Sequence, residues 1–251
     1  MRKTRILAAT LLALVAAPLG QALADPIKNV VIVHGALADG SGWRKVFDLL
    51  SAKGFNVTVV QPPMTSLGDD VAATRRILEL QDGPSLLVGH SYGGMIVTEA
   101  GTTDNVAGLV YVAAFQPDAG ESLLDLAART PAATNGIAAT RDGYLYLDPK
   151  VFAQDFAADL PEQEARFMAH SQVFPAKAAF ETKITAPAWK NKKSWALVAT
   201  EDRAIHPELM RTMARRAGSE QVEVKASHAV FLSQPAAVAA LIEKAATALS
   251  D

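Results

Sequence analysis

Short apolar runs rich in β-branched residues punctuate the first half of the chain, at residues 29–33, 56–60 and 85–88. Such uninterrupted runs suit strands covered on both faces, as in a parallel sheet; strands with one wet face alternate instead. Between the runs, residues 43–53 and 69–80 carry apolar side chains at helical spacing (Val46, Leu49, Leu50; Val71, Ile77, Leu78). Strand, helix, strand, helix, strand is the grammar of a parallel α/β sheet.

The alternation continues with a helix over 92–102 and a strand over 106–113. It resumes late, with a strand over 195–200, a helix over 208–217, a strand over 222–224 and an Ala-rich helix over 235–249. Between residues 114 and 193 it stops. That segment is rich in Ala, Pro and aromatics, with helical patches at 149–158 and 161–170, and is expected to lie as a helical cap over the carboxyl edge of the sheet. No internal repeat and no long polar linker interrupts the chain, so residues 25–251 are expected to form one domain.

The first 24 residues stand apart. Arg2, Lys3 and Arg5 precede an apolar run from Ile6 to Ala17, followed by Ala22, Leu23 and Ala24. This is the layout of a secretory signal cleaved after Ala24, and the run is shorter than the roughly 20 residues of a membrane span. The mature chain is then expected in the periplasm or the medium, with no stable membrane insertion. Losing the three basic residues takes the formal charge from -2 to -5, which disfavours nucleic acid as a partner.

Cysteine is absent, so neither a thiolate nucleophile nor a cysteine metal site is available. The five histidines (His34, His90, His170, His206, His228) form no HExxH pair and no tight cluster with carboxylates. No metal site and no cofactor are expected. Hydrolytic chemistry here calls for an oxygen nucleophile.

Ser91 is the candidate. Gly89-His90-Ser91-Tyr92-Gly93 joins a strand directly to a helix, the context that gives the G-x-S-x-G pattern its meaning. A residue at so sharp a turn is held in strained backbone geometry, and the glycines let strand and helix approach without Cβ clashes. The hydroxyl projects beyond the strand ends, where the helix start favours developing negative charge.

A serine hydroxyl needs a base, and His228 lies where one is required, between the strand at 222–224 and the helix from Pro235. The base needs a carboxylate to fix its tautomer, and chain order in this fold is Ser, acid, His. Asp202, two residues beyond Thr200, has room to turn inward and is favoured over its neighbour Glu201, which composition and spacing leave open. An oxyanion would be met by the N–H of Tyr92 and by one from the loop His34-Gly35-Ala36-Leu37, with Ala36 the preferred donor. His34 reads as a structural loop partner, and His90 is expected to point away from the crevice.

With these residues in place the chain resembles the α/β-hydrolase superfamily over nearly all of its mature length. More narrowly it is similar to the compact branch of plant methyl esterases, hydroxynitrile lyases and small bacterial esterases. The resemblance rests on Val31-Ile-Val-His-Gly-Ala36, Gly42-Trp43, Gly89-His-Ser-Tyr-Gly-Gly94, Ala199-Thr-Glu-Asp202 and Ser227-His228. It implies about six mostly parallel strands with helices on both faces and a cap after the fourth strand, and it supports Asp202 over Glu201. Nine of the sixteen aromatics fall in the cap and its flanks, among them Phe115, Phe156, Phe180 and Trp189, which favours a hydrophobic substrate.

The leading expectation is a serine esterase that cleaves small or medium carboxylic esters through an acyl-enzyme. Cyanohydrin cleavage on the same triad is the alternative. The lyases of the branch resemble one another in a lysine directly after the triad histidine and a threonine after the first-strand histidine, where this chain has Ala229 and Gly35. A third possibility is a hydrolase fold that holds a ligand with little turnover.

Overall fold

The computed structural model describes residues 27–250. The expected signal at residues 1–24 lies outside the described residues.

The chain opens with β1 (Asn29–Val33), every residue of which is buried, and a short 3-10 turn at Gly40–Trp43 that leads into α1 (Arg44–Ser51). Then come β2 (Asn56–Val60), α2 (Leu67–Glu79), β3 (Ser85–Ser91), α3 (Gly93–Ala100) and β4 (Val106–Ala114). The inserted segment holds α4 (Leu123–Arg129), a hairpin of β5 (Ile137–Ala139) and β6 (Leu145–Leu147), and α5 (Pro149–Phe156), α6 (Glu162–His170) and α7 (Lys177–Glu181). The core closes with β7 (Ser194–Ala199), α8 (Pro207–Ala217), β8 (Glu220–Val224), α9 (Val230–Ser233) and α10 (Pro235–Ser250).

Six of these strands form one parallel sheet in the order β2-β1-β3-β4-β7-β8. The chain steps from β1 to β2 in one direction and then builds from β3 in the other. With right-handed crossovers this puts α1 on one face and α2 and α3 on the opposite one. The packing agrees: α1 lies against α10, which covers β3, β4 and β7, while α2 lies against α3, which covers β1, β3 and β4. The reversal of direction between β1 and β3 is a switch point, the place where open α/β sheets form a crevice beyond their strand ends.

Helix ends follow local chemistry. Ser66 accepts from the Asp69 N–H at 3.0 Å to start α2, and Ser122 and Asp125 form a reciprocal capping box on α4. Gly218 takes a left-handed φ of 66° to stop α8.

Three expectations are corrected in detail. Residues 56–60 were expected to be buried on both faces, but β2 is an edge strand of the sheet and is partly exposed. Leu49 shares the helical spacing of Val46 and Leu50 yet is 37 % exposed, because α1 buries only a narrow stripe against α10. The insertion begins one residue later than expected, since Ala114 still pairs with Ser91, and it is not purely helical, because β5 and β6 form a hairpin within it.

The strand-to-helix turn after β3 is packed without spare room. A Cβ on Gly94 would stand 1.9 Å from the Phe115 carbonyl oxygen, and one on Gly93 would stand 2.5 Å from that of Val33. Both contacts are with backbone, which does not swing aside. Gly94→Ala is therefore expected to cost about 3 kcal/mol or more, at the upper end of single substitutions. Urea unfolding checks this; a loss below about 1 kcal/mol would show that the turn tolerates a methyl group.

Candidate active site

Ser91 closes β3 with φ 53°, in the left-handed region. For a residue with a Cβ this costs on the order of 1–3 kcal/mol, so the surroundings must impose it. They do so from both neighbouring strands. Its carbonyl accepts from the Phe115 N–H at 3.2 Å, and β4 shifts register beside it, with Ala113 at φ 43°. On the β1 side, a Cβ at Gly35 would come within 2.6 Å of the Ser91 Cβ, so that loop passes as close as glycine permits.

His228 and Asp202 meet beyond the ends of β8 and β7. His228 Nδ1 lies 2.6 Å from Asp202 Oδ2, and both side chains are buried. The other carboxylate oxygen accepts from the N–H groups of Ala204 at 2.8 Å and Ile205 at 2.9 Å. Asp202 is thus fixed by its own turn and presents its free edge to the imidazole. Glu201, the rival, points outward and pairs with Lys225 at 3.5 Å. The loop of His228 has a further support: His90 Nε2 donates to its carbonyl at 3.0 Å. His90 therefore does turn away from the crevice, and it stands behind the base.

Ala36 and Tyr92 flank Ser91 at the floor of the crevice. Among the described residues neither N–H donates to a backbone carbonyl, whereas the N–H of Leu37, at φ 66°, is taken by the Val173 carbonyl at 3.1 Å. The Tyr92 side chain is anchored below by a residue outside the sequence reading. Its hydroxyl donates to Asp70 Oδ2 at 2.7 Å, and Asp70 Oδ1 accepts from the Met64 N–H at 2.7 Å. Burial raises the Asp70 carboxyl above its ordinary value, against the pull of those two donors. The available signal was positional: Asp70 falls on the buried stripe Leu67, Asp70, Val71, Thr74, Leu78 of α2, where a carboxylate needs a partner.

Above these groups lies a cavity of about 340 Å³. Its walls come from α4 and its sequel (Leu123, Ala127, Pro131, Thr134), the hairpin (Ile137, Leu145, Leu147), and Phe115, Phe156, Phe180 and Ile205. Ser91 and His228 both line it, and none of its lining residues carries a formal charge. Among the described residues there is no group of three or more potential metal ligands, and no helix is long and apolar enough to cross a membrane.

Comparison with known proteins agrees with this architecture. The sequence model of the Alpha/beta hydrolase family matches residues 30–241. The chain belongs to the α/β-hydrolase family. Salicylic acid-binding protein 2 of Nicotiana tabacum is 28 % identical over 245 residues, covering 83 % of this chain and 93 % of its own. A carbendazim hydrolyzing esterase of Nocardioides sp. (strain SG-4G) is 36 % identical over 118 residues, 39 % of this chain and 46 % of its own. Among solved structures, a pyrethroid hydrolase, PytH, superposes with a TM-score of 0.78 at 22 % identity, covering 90 % of this chain and 100 % of its own. Polyneuridine aldehyde esterase does so with 0.73 at 19 %, covering 87 % and 98 %. Relatives named as esterases and hydrolases support ester hydrolysis in general terms.

Two buried histidines give this hydrolase a pH-dependent stability. Burial lowers His34, whose Nδ1 donates to the Gly35 carbonyl at 2.7 Å. Burial, followed by the nearness of His228, lowers His90 well below its ordinary value. In the unfolded chain both would take up protons below about pH 6.5 that the native state refuses. Stability is thus complete above that pH and falls as pH drops through it. Between pH 7.5 and 5.5, His90→Gln should lose less stability than the parent in urea unfolding, by on the order of 1 kcal/mol. Equal losses would mean that His90 accepts its proton in the folded state.

Proposed function

We propose that the protein is a serine esterase that cleaves small or medium, uncharged, hydrophobic carboxylic esters through an acyl-enzyme. One observation carries the reading: a serine held at φ 53° on a strand-to-helix turn shares an apolar cavity with a buried histidine that is itself bound to a buried aspartate at 2.6 Å.

In this reading Ser91 Oγ attacks the ester carbonyl and His228 Nε2 takes its proton, while Asp202 holds Nδ1–H and stabilises the imidazolium. Negative charge on the carbonyl oxygen is met by the N–H groups of Ala36 and Tyr92. Collapse of the tetrahedral species expels the alcohol, which His228 protonates. Water, deprotonated by the same base, then releases the acid. These steps need no cofactor.

The relatives named as esterases of carbendazim and as hydrolases of pyrethroids support the class. The cavity supports its narrowing. A carboxylate- or ammonium-bearing substrate would lose its hydration to walls without a counter-charge, a penalty of several kcal/mol. The lyase alternative is weakened by Gly35, since a threonine there would set its Cβ 2.6 Å from that of Ser91 on this backbone. Export belongs to the same reading: removal of the leader after Ala24 would leave a periplasmic or secreted chain starting at Asp25, which intact mass of the recovered protein checks.

Ser91→Ala should abolish the burst of p-nitrophenol from a p-nitrophenyl ester while leaving the circular dichroism spectrum unchanged. Turnover that survives in the variant would rule out Ser91 as nucleophile. Among esters of matched size, those carrying a carboxylate should show kcat/KM at least about tenfold below their neutral counterparts, the factor for 1.4 kcal/mol. Equal values would refute selection by an uncharged pocket.

A further inference from the structure

The sheet's backbone ladder aligns the two loops that carry Asp202 and His228 only at their roots. Pairing of β7 with β8 extends through Thr200 N–H to the Val224 carbonyl (2.9 Å) and Glu201 N–H to the Ala226 carbonyl (3.1 Å). Beyond that point no further backbone hydrogen bond joins the two loops among the described residues, and both are bonded to the end of α5 and the residues just after it, in the insertion.

On the acid side, Asp155 accepts from Arg203 Nε at 2.8 Å and from Thr134 Oγ1 at 2.7 Å. Arg203 directly follows Asp202, and its carbonyl accepts from the Thr134 N–H at 3.0 Å. On the base side, the Phe156 carbonyl accepts from Ser227 Oγ at 3.1 Å and from the Ala229 N–H at 3.0 Å. The Asp159 carboxylate takes the Ser227 N–H at 3.0 Å and shares the single Ser227 hydroxyl proton with that carbonyl. Both chain neighbours of His228 are thus tied to one short stretch, and the Phe156 ring stands edge-on to the imidazole with centroids 4.7 Å apart.

We propose that residues 155–159 are a positioning element for the acid–base pair, Asp155 acting through Arg203 and Asp159 through Ser227 to hold His228 against Asp202. This rests on the esterase reading given above. Asp155 argues for a role beyond packing. It shares the buried stripe of α5 with Phe152 and Phe156, where an apolar residue would fill the space without desolvating a charge. Asp159 is exposed, yet its carboxylate closes on the buried Ser227. Burial opposes its ionisation, but the Ser227 hydrogen bonds hold it below its ordinary value.

The test compares Asp159→Ala, Asp159→Asn and Arg203→Gln with the parent. It reads kcat and KM on a neutral p-nitrophenyl ester well below the melting temperature, together with the downfield proton NMR signal of His228 Nδ1–H in its bond to Asp202. Misplacing a reacting group by about 1 Å costs up to roughly 100-fold, so Asp159→Ala and Arg203→Gln should each lower kcat by about tenfold with KM within about twofold. Both should also move or broaden the His228 signal. Asp159→Asn, whose amide oxygen still accepts from the Ser227 N–H, should recover kcat to within about threefold of the parent. A lower melting temperature with kcat and the NMR signal unchanged would overturn the proposal. Should the parent hydrolyse no ester, the esterase reading fails, and the NMR signal alone decides whether this stretch positions His228.

Discussion

The left-handed backbone of Ser91 is the constraint around which the rest is arranged. A serine at φ 53° is unfavourable by itself and persists because β1, β4 and α3 leave the chain no alternative path. The same crowding explains the glycines: Gly35 lets the first loop pass the nucleophile turn, and Gly93 and Gly94 let α3 leave it against the carbonyls of Val33 and Phe115. Strain at one residue is therefore distributed over close contacts at several others. The reward is a hydroxyl at the switch point of the sheet, with backbone N–H groups on either side.

Two carboxylates on otherwise apolar helix stripes connect this rigid edge to its surroundings. Asp70 on α2 binds the Tyr92 hydroxyl and the Met64 N–H, and the Met64 carbonyl in turn accepts from Ala176 in the insertion at 2.8 Å. Asp155 on α5 binds Arg203 next to Asp202. In both cases one donor to the buried carboxylate comes from another part of the fold, Tyr92 for Asp70 and Arg203 for Asp155. Such a pair adds little net stability compared with apolar packing, but it admits one relative placement of the layers and penalises others. Insertion and sheet are joined through polar contacts whose geometry is specific, with apolar contacts filling in around them.

The core fold was legible because parallel strands and their helices write strong periodicities. β1, β3, β4 and β7 fall within a few residues of the apolar runs, and the glycine-flanked Ser91 announced the turn between β3 and α3. His228 was legible from its place after the last strand, whereas chain order left Glu201 open beside Asp202 and the resemblance favoured Asp202; the structure puts Asp202 2.6 Å from His228 and turns Glu201 outward. The insertion was much less so. Its hairpin is two strands of three residues, too short for a periodic signal, and α4 and α7 span only seven and five residues. Asp70 and Asp155 went unread for another reason: a carboxylate on an amphipathic helix usually marks the wet side, and only the stripe it occupies shows otherwise.

This division has a consequence for how the fold changes substrate. Half of the residues lining the cavity come from α4, its sequel and the hairpin. Substitutions there alter the shape offered to a substrate without moving the groups beneath. The wall formed by Phe156 and Thr134 is different, because the Phe156 carbonyl holds the His228 loop and Thr134 is bonded to Asp155 and Arg203. A change of side chain at either place would reshape the pocket and also remove a contact behind the loops of Asp202 and His228, the Phe156 ring against the imidazole or the Thr134 hydroxyl on Asp155. Freedom to diversify is thus concentrated in residues 123–132 and 137–147. On the proposed esterase reading, the end of α5 would serve both the pocket wall and the loops of Asp202 and His228, so a change there that improved the fit to one ester would also shift the base.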